Sequence, residues 1–354
     1  MPVPVPRDPE ATRATLTDWL HDESRLPGAE ITGLETPEFS GFSSEILMVD
    51  VTAADGTRSE LAVRIAPQHY QVFPDVRFEE QYRLMRILAR DTDIPVPPIR
   101  WYEPDGAYLG APFFVMERIA GRVPTDMPPY HTGGWVTEIT PDERSTMWWS
   151  ALEILARLHR LDPAALDVGF LDQPEWGAAG LAQRLGFYEH YMNWAYPGPK
   201  PTAIRALDWL KANRPVEGHP PVLLWGDARI GNVIFGEGGL PKAVLDFETA
   251  TFGQPEEDLA WYLYLDRHHS EGVYADRLDG FPTSTETIAR FEELLGRPVR
   301  DMQFYEVLSG FKFTVIMSRI GQAMIEWDWL EGDSDFPYNN NASRLLDTIL
   351  EGLS

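Results

Sequence analysis

The stretch LLWGDARIGNVIFGEGGLPKAVLDFETATFGQPEEDLAW, residues 223–261, most constrains what this chain can fold into. It gathers Asp227, Arg229, Asn232 and Asp246 into one short block. Between Asn232 and Asp246 lies VIFGEGGLPKAVL, two apolar runs around a glycine-rich turn, which reads as a β-hairpin. A hairpin of that length brings its two ends back together, so Asn232 and Asp246 can face one metal ion. Both offer the hard oxygen ligands that Mg²⁺ takes sparingly from a protein, the rest coming from phosphate and water.

Asp227 to Asn232 reproduces the pattern D-x-x-x-x-N of a phosphoryl-transfer catalytic loop. The acid opening Asp246-Phe247-Glu248 stands where kinases keep the metal-holding aspartate of D-F-G. Such a reaction needs positioning, charge neutralisation and a base beside the attacking hydroxyl. Asp227 can orient and deprotonate that hydroxyl, and Arg229 can reach the γ-phosphate and balance its developing charge. Any one of these residues alone reads as an ordinary turn residue; the set at this spacing reads as a site.

Composition narrows the remaining classes. A chain of 354 residues with 44% hydrophobic and 12% aromatic residues can bury a large core and divide into two lobes. A formal net charge of −25 argues against non-specific binding to nucleic acid or to an anionic membrane. The absence of cysteine excludes disulfides, thiolate catalysis and cysteine-held metals. MPVPVPRDPEATRATL lacks the pattern of a signal peptide, and no apolar run approaches membrane-spanning length, so a cytoplasmic protein is expected.

Along the chain, Asp8-Pro9-Glu10 opens a short helix with a capping side chain and proline in the first turn. Strands are expected near 31–36, over EILMVDVTA and over SELAVRIAP, the last two joined at the hairpin signal Asp55-Gly56. A helix over 78–90, a strand near 100–103 and the apolar run PFFVMERIAG complete a β-rich N-terminal lobe, residues 1–117. Residues 118–354 change to helical character. Thr140-Pro141-Asp142-Glu143 is a capping box that opens a long helix, and helical patterns recur at 203–213, 256–268, 285–295, 301–327 and 342–352. The Pro-, Gly- and Trp-rich segments 122–139 and 171–202 are expected as ordered but irregular insertions.

With these residues in view, the chain resembles the aminoglycoside phosphotransferase-like family of small-molecule kinases over nearly its whole length. The resemblance is carried by IPVPPIRWYEPDGAYLGAPFFVMERIAGRVP (94–124), LARLHRLD (155–162) and the block at 223–261. It implies an α+β, bilobal protein-kinase-like fold, with a small β-rich N-lobe and a larger helical C-lobe, and the use of ATP with Mg²⁺. It assigns Asp227 as catalytic base and Asn232 and Asp246 as metal ligands. Leu61-Ala62-Val63-Arg64 matches the third-strand V-A-I-K pattern, which places Arg64 on the nucleotide phosphates and Ala62 against adenine. Gly41, Ser43 and Ser44 fall in the loop over the phosphates. Met116, Glu117 and Arg118 match the connector whose backbone meets the adenine edge. Asp258 matches an aspartate that braces the catalytic loop.

The chain departs from the family at three points. Trp225 stands where a histidine is usual, Arg64 replaces lysine, and the partner for that cation on the 78–90 helix is Glu79, Glu80 or Gln81. The expected activity is transfer of a γ-phosphoryl group to a hydroxyl of a small molecule: an aminoglycoside-like, macrolide-like, hydroxyacyl or other metabolite acceptor. The alternative these departures motivate is a catalytically silent nucleotide-binding regulator. Twelve tryptophans form the second unusual feature. Trp148 and Trp149, on a helix, read equally as core or as stacking walls for a sugar or flat acceptor, and Trp135 and Trp194, in Pro/Gly-rich insertions, as core or as pocket walls. His268-His269 reads as a charge complement at a helix C-terminus. His159 reads as structural, and the YHTGG and NWAYPGPKP segments as an acceptor-site lid or as inert surface loops. Acceptor identity and oligomeric state stay open.

Overall fold

The computed structural model describes residues 7–22, 25–37, 44–68 and 70–353. The chain divides into two compact units, residues 1–119 and 120–354.

The first unit begins with helix α1 (Pro9–Leu20), where Asp8 caps the backbone amides of Glu10 and Ala11. Strands β1 (Glu30–Glu35), β2 (Glu45–Thr52) and β3 (Arg58–Ile65), helix α2 (Phe78–Asp91), and strands β4 (Ile99–Glu103) and β5 (Phe113–Glu117) follow. The strands form an antiparallel sheet in the order β1-β2-β3-β5-β4. Asp55 and Gly56 make the turn between β2 and β3, with Gly56 at φ +84° and the Asp55 carboxylate accepting from the Thr57 amide. On α2, Phe78, Gln81, Leu84, Met85 and Leu88 face the core at helical spacing. Trp19 anchors α1 to the sheet: its indole donates to Glu103 at 2.6 Å and Arg25 stacks on its ring.

The second unit is mainly helical. Helix α3 (Pro141–His159) starts at the reciprocal capping box of Thr140 and Glu143. Helices α4 (Leu181–Ala195) and α5 (Pro201–Ala212) follow. Two short antiparallel ladders come next, built from β6 (Val222–Leu224), β7 (Val233–Phe235), β8 (Pro241–Val244) and β9 (Thr251–Gly253). Helices α6 (Pro255–His269), α7 (Ser284–Leu295), α8 (Met302–Glu326) and α9 (Asn341–Glu351) complete it. Among the described residues no helix is long and apolar enough to cross a membrane.

Helix α4 corrects the expectation of an irregular segment over 171–202. Leu181, Leu185, Tyr188, Met192 and Ala195 are buried at helical spacing, which the flanking glycines and prolines obscure in the sequence. The preceding residues Gly169–Leu171 and Pro174–Trp176 form only single 3₁₀ turns.

Candidate active site

The loop 225–232 is suspended between two ladders. Upstream, β6 pairs with β9, Leu224 opposite Thr251. Downstream, β7 and β8 form a hairpin with Val233 opposite Val244, and the Leu245 amide donates to the Asn232 carbonyl at 2.8 Å. That register brings Asn232 beside the residue preceding Asp246. Asp246 sits at φ +63°, left-handed backbone that aspartate tolerates better than most residues. Gly226 is required where it stands: its φ is +85°, and a Cβ there would lie 2.2 Å from the Thr249 carbonyl oxygen.

Asp227 is half-buried, and both of its carboxylate oxygens are engaged. Oδ2 accepts from Asn232 Nδ2 at 2.7 Å and from Arg229 Nε at 3.4 Å; Oδ1 accepts from the Trp261 indole at 2.6 Å. Asn232 also donates to the Asp227 carbonyl at 3.0 Å, so its amide nitrogen is fixed. No described residue donates to the remaining Asn232 oxygen, which is the donor type a hard cation takes.

The second face of the site comes from the 120–134 segment. Arg229 Nη1 pairs with Asp126 Oδ1 at 2.5 Å, and the same oxygen meets His269 Nε2 at 3.0 Å. Loss of hydration opposes the charge on Asp126, but Arg229 and then His269 outweigh it and hold the carboxyl well below the usual range. Burial likewise opposes the Arg229 charge, and Asp126, Asp227 and, more weakly, Asp246 restore it. Arg229 is thus set among three carboxylates.

Asp258, fully buried at the start of α6, braces the loop backbone. It accepts from the Trp225 amide at 2.7 Å, the Gly226 amide at 3.0 Å and His159 Nε2 at 2.9 Å. The tryptophan at 225 does more than fill space. Its indole donates to the Leu245 carbonyl at 2.7 Å, and its ring stacks on Phe247, tying the loop to the segment that carries Asp246.

In the first unit, Ala62 and Arg64 lie on β3 and are buried, Ala62 paired with Met48 and Met116, Arg64 with Ile46 and Phe114. Met116 and Glu117 close β5; Glu117 pairs with Arg100 at 2.7 Å, and Arg118 with Asp50 and Glu60 at 3.0 and 2.9 Å. The Arg118 amide donates to the Glu60 carbonyl. On α2 the inward position is Gln81, while Glu79 is exposed and Glu80 half-buried. Ser44 is buried just before β2; Gly41 and Ser43 lie outside the described residues.

Other residues singled out in the sequence have packing partners in the structure. Tyr130 and His131 are buried, both donating to Asp266 of α6, at 2.8 and 3.0 Å, and Arg277 pairs with the other carboxylate oxygen at 2.7 Å. The YHTGG segment is therefore anchored at its first two residues. Burial opposes the charge of Asp266, but His131 and Arg277 keep its carboxyl below the usual range. The expected charge complement at the end of α6 fails for His268. Burial, and then His269, push it down to about 3, so it is neutral at neutral pH; its ring packs edge-on to Phe313. Trp135 lies under Arg122 and Trp194 under Arg319, so one face of each ring is covered.

Trp261 and Asp126, absent from the sequence-derived site, both touch it. Neither carries a local signal: Trp261 reads as one apolar position of a buried helix, and Asp126 sits in an irregular, proline-rich segment far from Arg229 in sequence.

Known proteins share this architecture. A candidate aminoglycoside phosphotransferase from Ralstonia eutropha matches with a TM-score of 0.69 at 22% identity, covering 96% of this chain and 95% of its own. A type I macrolide 2′-phosphotransferase matches with a TM-score of 0.59 at 16% identity, covering 98% and 99%. An ethanolamine kinase from Plasmodium vivax matches with a TM-score of 0.57 at 16% identity, covering 90% and 83%. These likenesses establish a protein-kinase-like α+β fold. By sequence, acyl-CoA dehydrogenase family member 11 of Homo sapiens is 28% identical over 300 residues, 81% of this chain but 36% of that protein. Mouse acyl-CoA dehydrogenase family member 10 is 26% identical over 252 residues, 68% of this chain and 22% of that protein. The chain thus spans about a third or less of the length of these curated relatives. The profile of the phosphotransferase enzyme family matches residues 40–294, most of the chain. The chain belongs to the phosphotransferase enzyme family.

Proposed function

We propose that this chain moves the γ-phosphoryl group of ATP, with Mg²⁺, to a hydroxyl of a small molecule. The observation that carries this reading is the Asp227 carboxylate, oriented by Asn232 and Trp261 on a loop whose far end is paired to the residue before Asp246. Asp227 accepts the proton of the acceptor hydroxyl. Asn232, through its undonated oxygen, and the Asp246 carboxylate are the residues that would hold the metal.

Among the described residues no cluster of three His, Cys, Asp or Glu is arranged around a metal. One amide and one carboxylate fit Mg²⁺, which takes few protein ligands. When bound, Mg²⁺ supplies charge neutralisation on the phosphate oxygens. Arg229, held by Asp126 and Asp227, keeps a permanent positive charge beside the same site. In the first unit, Arg64 would hold nucleotide phosphates, and Ala62, Met116, Glu117 and Arg118 would bound adenine, with Gly41, Ser43 and Ser44 over the phosphates. Support from relatives is consistent: one solved aminoglycoside phosphotransferase of this fold was captured with ADP and hygromycin B.

Calorimetric titration with ATP or GTP, with and without Mg²⁺, followed by an ADP-release screen over hydroxylated acceptors, tests the proposal. Metal-dependent ATP binding with acceptor-stimulated ADP release is the expected result. Binding without stimulated release would favour a silent nucleotide-binding protein, and absence of binding would overturn the reading.

A further inference from the structure

Trp261 stands in an unusual position for a core tryptophan. It is 3% exposed, yet its one polar atom is spent on Oδ1 of Asp227, at 2.6 Å. A carboxylate offers about four lone-pair sites. Asn232 and Arg229 take two on Oδ2 and Trp261 takes one on Oδ1, leaving about one for an incoming hydroxyl. Without the indole, the carboxylate can turn about its Cβ–Cγ bond toward the donors on the Oδ2 side.

The indole is itself immobilised. Phe313 packs edge-on at 5.9 Å, and Lys312 Nζ lies 4.7 Å from the ring centroid. Lys312 is buried and pairs with Glu257 at 3.0 Å; Arg184 pairs with the same Glu257 oxygen at 3.0 Å. Glu257 precedes Trp261 by one turn of α6, and Asp258, its neighbour, holds the amides of Trp225 and Gly226. One helix therefore grips both the backbone of the loop, through Asp258, and the carboxylate it presents, through Trp261.

We propose that Trp261 is a positioning residue for Asp227, and that the buried Arg184–Glu257–Lys312 triad holds its ring in place. The inference rests on the reading of Asp227 as the base. It predicts that the indole N–H matters to turnover but not to nucleotide binding.

The test uses the full chain with ATP and Mg²⁺, water serving as acceptor, and reads ADP release together with nucleotide affinity by calorimetry. Two replacements are compared: Trp261→Phe, and Trp261→3-benzothienylalanine, which keeps the ring shape and substitutes sulfur for the N–H. Both are expected to lower ADP release about 10- to 100-fold, the scale of a misaligned catalytic group, with ATP affinity held within about twofold of the parent. In parallel, the indole proton of Trp261, assigned by its loss in Trp261→Phe, is expected to shift in the NMR spectrum of Asp227→Asn. Unchanged ADP release in the benzothienyl variant overturns the proposal, as does an indole resonance indifferent to residue 227. A parent chain that neither binds ATP nor releases ADP overturns instead the functional reading beneath it, and Asp227→Asn with full ADP release removes the base assignment.

Discussion

Asn232 donates its side-chain amide to the Asp227 carboxylate across 2.7 Å, and its own carbonyl accepts from the Leu245 amide across 2.8 Å. One residue thus joins the loop that carries Asp227, the proposed base, to the strand end that carries Asp246. In the proposed function its undonated side-chain oxygen and the Asp246 carboxylate are the two groups that would hold Mg²⁺, which takes few ligands from a protein.

Asp246→Asn tests that pair. Asparagine tolerates the left-handed backbone at φ +63°, so the fold is expected to survive. The Mg²⁺-dependent part of ATP affinity should fall about tenfold or more, on the order of 1.4 kcal/mol, while metal-free affinity stays level. Equal affinities in parent and variant with Mg²⁺ present would remove Asp246 from the ligand set.

Asp258→Ala is expected to be costly to the fold rather than to chemistry directly. It would strand three buried donors: the amides of Trp225 and Gly226, and His159 Nε2. Each buried unsatisfied group costs about 1–3 kcal/mol, so urea unfolding should show a loss of about 3 kcal/mol or more. A loss under about 1 kcal/mol would mean that water replaces the carboxylate at little cost.

His268 makes stability depend on pH in a stated window. Its folded value is about 3 against an ordinary 6.5, so between those limits the unfolded chain binds a proton that the folded chain refuses. Stability from this group is therefore fully present above pH 6.5 and lost as pH falls toward 3, by up to about 1.4 kcal/mol per pH unit. In His268→Phe, which can keep the contact with Phe313, the drop between pH 7 and pH 5 should be smaller by about 2 kcal/mol. Parallel pH profiles for the two chains would contradict the assignment.

Trp225→Phe removes the indole donor to the Leu245 carbonyl while keeping an aromatic ring against Phe247. A stability loss of about 1 kcal/mol is expected, together with weaker Mg²⁺ dependence of ATP binding. Unaltered metal dependence would reduce Trp225 to packing.

Much of this site can be read from local sequence because its parts are local. The hairpin between Asn232 and Asp246 follows from two apolar runs and a glycine turn, and the capping box at Thr140–Glu143 from four residues. The antiparallel first unit follows from alternating strands and the Asp55-Gly56 turn. What stayed hidden depends on distance in the chain. Trp261 reaches Asp227 from a different element, and Asp126 reaches Arg229 across more than a hundred residues. Helix α4 was masked by flanking Gly and Pro, although its buried positions keep a helical period. The neutrality of His268 arises from burial against Phe313, which sequence neighbours do not encode.

The most direct measurement is transfer of radiolabelled γ-phosphoryl from ATP, with Mg²⁺, in the parent chain and in Asp227→Asn, with ATP affinity measured on the same samples. The account predicts that Asp227→Asn loses about 10²- to 10⁴-fold in transfer, the range of a general base, and keeps ATP affinity within about threefold. Transfer that survives the substitution nearly unchanged would contradict the assignment of Asp227 as the base.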